Sequence, residues 1–509
     1  MSNTSTPAAP GKPIPSPENF PVSWEDPADA SLTWQLQPQI PFPVAPLIYS
    51  VLASCVRGFS SVSAQIGLPF NLRTMRINGY YYVAFAPTTA PPEAVMKVIS
   101  AVNRLAPGLV KLLMGRMATG MTKQQLDRLN PILARFDVYW ESELLPKIKQ
   151  HLAYFESCDL RGLSLAQLSA HLAEGLKRME RMGGGLHMLA GMAAIFAMSQ
   201  FEELYCDLFE GATSFDALRL LQGFDNKTLE GDHALWQLSR AALTMPSVHQ
   251  VLTECVAPDV IPALEQSGKG RRFLGDLHAY LNQFGQRMNS FYALDEPSWI
   301  EDPTPVIECL KAYTTVTQAR PEAEPARLAA AREKAIAEAR VKLAGYPEPI
   351  VRQFETLLKA AQTAAVVSED HNYWIDQRGW YQMRRLALEF GRRLAEAGTL
   401  ETRDDVFYLS ADELIHGERS GVTPSAQRWV KERKAQMEYF RHVTPPPMLG
   451  TMPPFELADG GPLFGALMKT EFGPIGSNGG SQELKGHAGS PGIVRVIVEE
   501  QIHEPALAG

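Results

Sequence analysis

The chain of 509 residues contains few cysteines and no Cys-x-x-Cys pair. Its five cysteines are odd in number and widely separated: Cys55, Cys158, Cys206, Cys255 and Cys309. This spacing argues against a disulfide framework and against a cysteine-based zinc site, and it is typical of a reducing compartment. We therefore expect a cytoplasmic protein that binds no structural metal.

The sequence also lacks any block of lysine and arginine. Its formal net charge is −8 and its pI is about 5.8. A protein that binds the phosphate backbone of nucleic acid generally presents a basic patch. We therefore expect no nucleic-acid partner.

No segment predicts a secretory signal or a membrane anchor. Residues 1–20 are polar and rich in proline, and are predicted to be a disordered lead-in. Between Arg181 and Glu202 the stretch MGGGLHMLAGMAAIFAMSQF carries no formal charge and is almost long enough to cross a bilayer. Its three consecutive glycines and its polar residues favour a buried helix, so we expect no membrane partner.

The pattern of the chain predicts a mainly α fold with small β-containing segments. The stretch RTMRI–Asn78–Gly79–YYYVAFA is typical of a hairpin, and later stretches repeat apolar residues three and four apart. Ser164 is a predicted helix N-cap. The predicted organisation is a lead-in (1–20), a mixed segment with the hairpin (21–90), a helical domain (91–400), a short strand and helix (401–442), a Pro/Gly-rich linker (443–482) and the first strand of a further domain (483–509).

Compact catalytic signatures are absent: the sequence has no P-loop, no His-Glu-x-x-His and no Gly-x-Ser-x-Gly. The glycine-rich stretch 182–191 lacks the Lys-Ser/Thr ending of a phosphate loop, so its glycines are assigned to close helix approach. A methionine- and phenylalanine-rich stripe follows, and it indicates either plain core or the wall of a pocket for a flat apolar ligand. The candidate pocket residues are Met188, Met192, Phe196 and Phe201. His187 stands in the same stripe, as a hydrogen-bonded core histidine or as a group facing a ligand hydroxyl.

Two further segments concentrate polar side chains. Residues 273–303 carry His278 and Arg287 into an acidic loop, which is typical of a structural salt-bridge corner or of a ligand site. In residues 368–394, His371, Arg378 and Arg385 fall seven residues apart and are predicted to share one helix face, with Tyr381 close by and Asp376 further round. Arginines beside a histidine can steady a phosphoryl group while the histidine or an aspartate accepts a proton. The alternative is a solvated basic face.

Three sets of residues together resemble the phosphoenolpyruvate-utilising, dikinase-type phosphotransferases, among them phenylphosphate synthase and rifampicin phosphotransferase. KGHAGSPGIVRVIV resembles the opening of their swivelling phosphohistidine domain. EDHNYWIDQ and DDVFYLSADEL resemble the helical segment before it, and FPVSWEDPADASLTWQLQPQIPFPVAPL with RINGYYYVAF resembles the start of the central, acceptor-binding region. The similarity covers most of residues 20–500, and the shared order is more specific than any single motif.

The resemblance implies that ATP and Mg²⁺ bind to a separate ATP-grasp domain or subunit. It also implies that this chain binds neither of them. It implies partners that carry the ATP-grasp function and the phosphohistidine. The Ser-His segment of the carrier is not found here, and neither His487 nor His503 has its context. We expect residues 483–509 to be the truncated start of the swivelling domain.

The expected function is acceptor binding in an ATP-dependent phosphotransferase that phosphorylates a small phenol. An antibiotic hydroxyl, a condensing ligase of the same architecture and a non-catalytic binding module are the alternatives. The predicted catalytic residues are His371 or His187 as base, Asp376 as the acidic alternative, and Arg385 or Arg287 near the phosphoryl group. The predicted substrate-binding residues are Met188, Met192, Phe196, Phe201, Tyr381 and His278.

Overall fold

The computed structural model of the protein describes residues 12–87 and 123–452, apart from residues 64, 69, 125, 291, 317–322 and 421–422. The predicted swivelling-domain start at 483–509 lies outside the described residues. So do most of the predicted lead-in, the greater part of the linker and the beginning of the predicted helical domain.

Helices dominate the structure, which is 70% helical with one small sheet, so the predicted mainly α fold is confirmed. Residues 126–133 are helical as well. The labelled α-helices are α1 (Pro46–Ser63), α2 (Phe136–Tyr139), α3 (Leu145–Glu156), α4 (Leu165–Met179), α5 (His187–Leu208), α6 (Ser214–Leu218), α7 (Lys227–Leu243), α8 (Pro246–Glu254), α9 (Ala257–Glu265), α10 (Gly268–Phe284), α11 (Thr304–Thr315), α12 (Ala323–Leu343), α13 (Glu348–His371), α14 (Arg378–Glu396), α15 (Ala411–Ser420) and α16 (Thr423–Arg441).

Three π-helical segments interrupt these helices without breaking the chain direction. They are π1 (Trp140–Leu144), π2 (Glu180–Leu186) and π3 (Asn372–Gln377). Short 3₁₀ turns cover Pro27–Ser31, Leu160–Gly162 and Arg403–Tyr408. Ser164 caps α4 as predicted, since its side chain accepts from the amide of Gln167 while the Gln167 side chain accepts from the amide of Ser164.

The sheet is antiparallel throughout and has the order β2 (Phe70–Ile77), β3 (Tyr80–Pro87), β1 (Thr33–Leu36) and β4 (Met448–Gly450). The predicted hairpin is confirmed. Asn78 (φ 53°) and Gly79 (φ 89°) both adopt the left-handed conformation that a two-residue type I′ turn requires.

The two faces of the sheet are buried in different cores. Tyr81 and Val83 face the main helical core, whereas Tyr80 and Tyr82 pack with Phe20 and a separate apolar cluster. This alternation gives the sheet one wall that faces the helices and one that is sealed by the ends of the described chain.

The region after residue 400 differs from the prediction. Residues 403–408 form a 3₁₀ turn, not a strand, because Thr402 and Asp405 form a capping box that starts a helical turn there. Val406 and Phe407 pack into the main core. Part of the predicted linker is ordered structure, since β4 pairs with β1. The domain boundaries proposed from the sequence stay predictions.

Helices α7 to α11 enclose a second core of their own, with Phe273, Leu277 and Leu310 fully buried. Tyr373, from π3, is part of this second core. The segment π3 therefore lies at the boundary between the two helical cores.

The segment from α4 through π2 to α5 is long and apolar. Leu165–Leu208 would be long enough to cross a membrane, with a mean hydropathy of 1.3 over its most apolar window. Half of that window is buried inside the protein, largely against α13. The predicted buried helix is therefore confirmed for half of this window.

Candidate functional site

A cavity of about 570 Å³ lies between α1, the inner face of the sheet, α5 and the junction of α13 with π3. Its walls are mainly apolar, and they include the side chains of Phe59, Tyr81, Phe85, Met188, Ile195 and Trp380. A cavity of this size and polarity suits a small organic ligand that is held by a few polar groups.

The glycines of π2 bring α1 into backbone contact with the start of α5. A Cβ atom at Gly184 would lie 2.0 Å from the carbonyl oxygen of Cys55, and one at Gly58 would lie 1.7 Å from the carbonyl oxygen of Glu180. Only glycine allows this approach. The assignment of the glycine run to close helix packing is confirmed, and the packing fixes His187 at the cavity wall.

Opposite π2, the segment π3 presents two of its own polar side chains to the same cavity. Asn372 and Asp376 line it, together with His371 at the end of α13. Because a π-turn holds one residue more than an α-turn, the residues beyond it are rotated relative to those before it. The prediction that His371, Arg378 and Arg385 share a face is therefore wrong. Arg378 pairs instead with Glu156 of α3, outside the cavity.

His187, His371 and Asp376 form one polar cluster in the apolar wall. His187 Nδ1 lies 3.1 Å from Asp376 Oδ1. The two imidazole rings meet edge to face with centroids 4.8 Å apart. One nitrogen from each ring and one carboxylate oxygen all lie within 4.8 Å of one another. His187, directly after π2, thus forms a single site with His371 and Asp376, which lie beside and within π3.

The hydrogen bonds of the cluster assign the ring protons. His371 Nδ1 is 2.7 Å from the carbonyl oxygen of Val367. A carbonyl oxygen only accepts, so Nδ1 donates and Nε2 of the neutral ring carries the lone pair. Burial and the neighbouring His187 lower the pKa of His371, although Asp376 acts in the opposite direction. His371 is therefore a neutral imidazole at physiological pH.

Cys55 also lines the cavity, in surroundings that keep its thiol protonated. Burial, with repulsion from Asp376, raises the pKa of its thiol well above the usual range. Its sulfur lies 3.8 Å from the carbonyl oxygen of Met179. A protonated, buried thiol packs like a small apolar group.

The residues predicted to bind substrate separate into two groups. Met188 and Met192 line the cavity, and Ile195 one turn further does so too. Phe196 and Phe201 are completely buried on the other side of α5, where Phe201 packs against Phe354 at 5.7 Å. They belong to the core between α5 and α13, so the stripe is a pocket wall on one side and plain core on the other.

The remaining predicted residues lie elsewhere. His278 is exposed on α10. Arg385 donates to Gln382 of its own helix, near Tyr381. Arg287 lies over the ring of Trp299 at 4.6 Å, beside a second, smaller cavity of about 70 Å³. The structure does not bring His278, Tyr381, Arg385 or Arg287 to the cluster.

The acidic loop after α10 is partly the salt-bridge corner that the sequence allowed. Arg384 of α14 is buried and binds both carboxylate oxygens of Glu301, at 2.7 and 3.2 Å, and the carbonyl oxygen of Leu294 at 2.6 Å. These bonds hold the loop so that Tyr292 reaches the cavity, with its ring 4.8 Å from that of Trp380. Tyr292 has a positive φ of 61°, a strained conformation for a tyrosine.

Comparison with known proteins assigns a part of the chain that includes His187 and ends two residues before His371. Residues 186–369 match the family described as the rifampicin phosphotransferase fourth domain. The chain is 25% identical to the uncharacterized phosphotransferase YvkC of Bacillus subtilis over 279 residues, which are 54% of this chain and 33% of that protein. It is also 25% identical to a rifampicin phosphotransferase of a Streptomyces species over 315 residues, 60% of this chain and 36% of that protein.

This match and these two relatives support a relationship to the phosphoenolpyruvate-utilising, dikinase-type phosphotransferase family. A further relative is chondramide synthase of Chondromyces crocatus, which is 34% identical over 507 residues, 96% of this chain and 12% of that protein. The chain thus spans between 12% and 36% of the length of these three relatives.

The sequence could suggest the members of the cluster and two methionines of the cavity wall, Met188 and Met192, but not the aromatic walls. His187, His371 and Asp376 were candidates because of their residue types. The aromatic walls from α1, β3 and α14 were missed, namely Phe59, Tyr81, Phe85 and Trp380. No local pattern distinguishes these side chains from ordinary core residues, because only tertiary contacts place them around one space.

Proposed function

We propose that this chain is the acceptor-binding part of an ATP-dependent, dikinase-type phosphotransferase that phosphorylates the hydroxyl group of a small aromatic compound. The observation that carries the proposal is an apolar cavity with a His–His–Asp cluster in its wall. His187 and the methionines of the cavity wall lie in the segment that matches the family. Aromatic and methionine side chains supply surfaces for a flat ring, and the cluster supplies the polar contact for its hydroxyl.

The proposal places the other steps outside this chain. ATP and Mg²⁺ bind to an ATP-grasp domain or subunit, and a carrier histidine becomes phosphorylated there. The carrier then presents its phosphoryl group to the cavity, in the cytoplasm. The acceptor oxygen forms the new O–P bond while the N–P bond of the carrier breaks.

The cluster is suited to the proton that this step releases. A phenol has a pKa near that of tyrosine, about 10, so it reacts well at neutral pH only beside a positioned base. Asp376 orients His187 through Nδ1, and His371 offers an unprotonated Nε2. One of these imidazoles accepts the proton of the acceptor, and Asp376 stabilises the positive charge that forms on His187.

The two arginines predicted to stabilise the phosphoryl group do not lie in the cavity. No lysine or arginine is among the residues that line the cavity in the described part of the chain. Arg385 and Arg287 lie outside it, so the positive charge that faces the transferring group has to come from another source.

The test is phosphoryl transfer in a reconstituted system containing this chain, the ATP-grasp part and the carrier. With labelled ATP, a panel of phenols and rifampicin should reveal a phosphorylated acceptor that depends on this chain. A phenol as acceptor supports the proposal. Labelling of rifampicin alone would move the acceptor class to antibiotic hydroxyls, and binding without transfer would leave a binding module.

Ligand binding can be tested on the chain alone. Ile195→Trp fills the cavity from a half-buried position, so it should weaken binding of the phenol by at least about tenfold while the fold survives. Val341→Trp, at a side chain that is 76% exposed on α12, is the matched control and should bind normally. Equal calorimetric affinities in both variants would mean that the ligand binds elsewhere.

A second candidate function is an ATP-dependent condensing ligase of the same architecture. It is favoured by one finding, that a relative matching 96% of this chain is named a synthase. A ligase needs a second co-substrate and releases phosphate as it joins the two, whereas a transferase releases a phosphorylated acceptor. Product analysis by mass spectrometry separates the two functions.

A further inference from the structure

The cluster of His187, His371 and Asp376 has the composition of a metal site. Two imidazoles and one carboxylate are a common ligand set for zinc and for other divalent transition metals. Their ligand atoms all lie within 4.8 Å of one another. Because they come from two facing π-segments, no short sequence motif could have indicated them.

The separation of the first pair fits a bound ion. Two ligands at about 2.0–2.1 Å from a tetrahedral zinc ion are roughly 3.3 Å apart. His187 Nδ1 and Asp376 Oδ1 are 3.1 Å apart. The third ligand needs a side-chain shift of about 1.5 Å at most to reach that ligand separation, since the widest separation in the cluster is within 4.8 Å.

The second observation is the hydrogen bond behind His371. A metal-binding histidine usually donates its other ring N–H to a carboxylate or a backbone carbonyl, which fixes the tautomer and aims the remaining nitrogen at the ion. The bond of 2.7 Å from His371 Nδ1 to the Val367 carbonyl has this form and leaves Nε2 as the ligand atom.

The third observation is the electrostatics of Asp376. Its side chain is only 6% exposed, and burial of an ionised carboxylate is costly unless positive charge lies nearby. No lysine or arginine lines the cavity in the described residues, and Arg378, two residues along, is engaged by Glu156. A divalent cation would balance this buried charge.

We propose that His187, His371 and Asp376 bind one divalent transition-metal ion of the zinc class in the wall of the cavity. Three protein ligands leave one position open toward the cavity, where water or a ligand oxygen coordinates. The ion lowers the pKa of a hydroxyl bound to it and provides the positive charge that the cavity walls lack. The metal site concerns the cluster itself and does not require the proposed phosphotransfer. In a metal-loaded chain both imidazoles are ligands, so the lowered pKa of the bound hydroxyl replaces an imidazole base.

The test uses the full chain without an affinity tag, stripped with a chelator. Calorimetry with Zn²⁺ should show one ion per chain, and Co²⁺ should give the strong visible absorption of a four- or five-coordinate ion. Excess Mg²⁺ should not displace either metal, because imidazole ligands disfavour it. Binding should also raise the melting temperature of the wild-type chain.

Asparagine replacements examine the ligands one at a time. His187→Asn, His371→Asn and Asp376→Asn should each weaken binding by more than the roughly 10–100-fold that loss of an outer-shell partner costs. His442→Asn is the matched control, since that histidine is 74% exposed on the surface and should leave binding unchanged. Circular dichroism verifies that each variant is folded.

Failure of binding to the wild-type chain, or equal binding by the wild type and all three folded cluster variants, would overturn the metal site. These measurements need no ATP, carrier or acceptor. A chain that binds zinc but supports no transfer retains the metal site and loses the proposed function. A chain that binds no metal but supports transfer retains the proposed function and loses the metal site.

Discussion

Asp376 and the carbonyl of Val367 give the two imidazoles of the cluster different partners. His187 Nδ1 lies 3.1 Å from a carboxylate oxygen, whereas His371 Nδ1 donates to a neutral carbonyl, and burial lowers the pKa of His371. Two residues of the same type therefore have different partners in one site. Single replacements can measure the contribution of each histidine separately.

Replacement of either histidine should reduce acceptor phosphorylation and nothing earlier. In the reconstituted system, His187→Ala or His371→Ala at the true base should lower turnover by roughly 10²–10⁴, the usual contribution of general acid–base catalysis. Phosphorylation of the carrier by ATP should be unchanged, because it occurs away from this cavity. His442→Ala is the control. Near-normal transfer by both variants would leave Asp376 as the candidate base.

A buried histidine away from the site should make stability depend on pH. His171 of α4 stacks on Tyr154 at 4.7 Å, and burial, together with the charge of Arg178, lowers its pKa, while Glu174 opposes the shift. The unfolded chain, with a histidine pKa of about 6.5, then binds this proton more readily than the folded chain. Stability is complete above about pH 6.5 and is lost as the pH falls through the lowered folded-state pKa.

Urea unfolding near pH 7.5 and near pH 5 measures this effect. The wild type should lose more free energy of unfolding between the two values than His171→Gln, by up to about 1.4 kcal/mol for each unit of pKa difference. His151, whose pKa is also lowered, is retained in both proteins and contributes equally to them. An identical loss in the wild type and the variant would contradict the assignment to His171.

At the scale of elements, the two π-segments position the cluster. Segment π2 carries His187 at its end, and π3 contains Asp376 and follows directly after His371. A π-turn is usually retained where it aims side chains at a functional site, since its hydrogen bonds are less favourable than those of an α-turn. The cavity is thus built from two local departures from α-helical geometry that face each other.

The glycine contact at π2 should be sensitive to a single methyl group. Gly184→Ala places a Cβ atom 2.0 Å from the carbonyl oxygen of Cys55, so α1 and π2 must separate. We expect a loss of about 3 kcal/mol or more in the free energy of unfolding. Gly191→Ala is the control, because its Cβ would meet only His187 Cδ2 at 3.8 Å, and it should be neutral or stabilising by up to about 1 kcal/mol.

Local signals were predictable from the sequence at this scale. The turn at Asn78-Gly79 and the cap at Ser164 depend on neighbouring residues alone, and both predictions are confirmed. The strand predicted near Val406 was wrong, because alternating apolar residues also suit a 3₁₀ turn packed into a core. The rotation at π3 could not be predicted, since tertiary packing selects a π-turn over an α-turn.

At the scale of the whole molecule, the proposal that ATP binds outside this chain can be tested directly. The chain has no P-loop, and its large cavity is lined by apolar side chains with no lysine or arginine among the described residues. We expect the isolated chain neither to bind ATP tightly nor to hydrolyse it. Micromolar ATP binding by calorimetry would contradict this expectation, and the same titration with a phenol shows that the protein is active in ligand binding.

The pairing of β1 with β4 affects how this fold can be inserted into a longer polypeptide. Pro13 bridges to Thr451, so the two ends of the described chain leave the molecule side by side. A fold whose ends are adjacent behaves as a cassette: it can be spliced into a larger polypeptide through one surface position without parting its own strands. The same closure means that pulling on the two ends would unzip β4 from β1 before any helix is loaded.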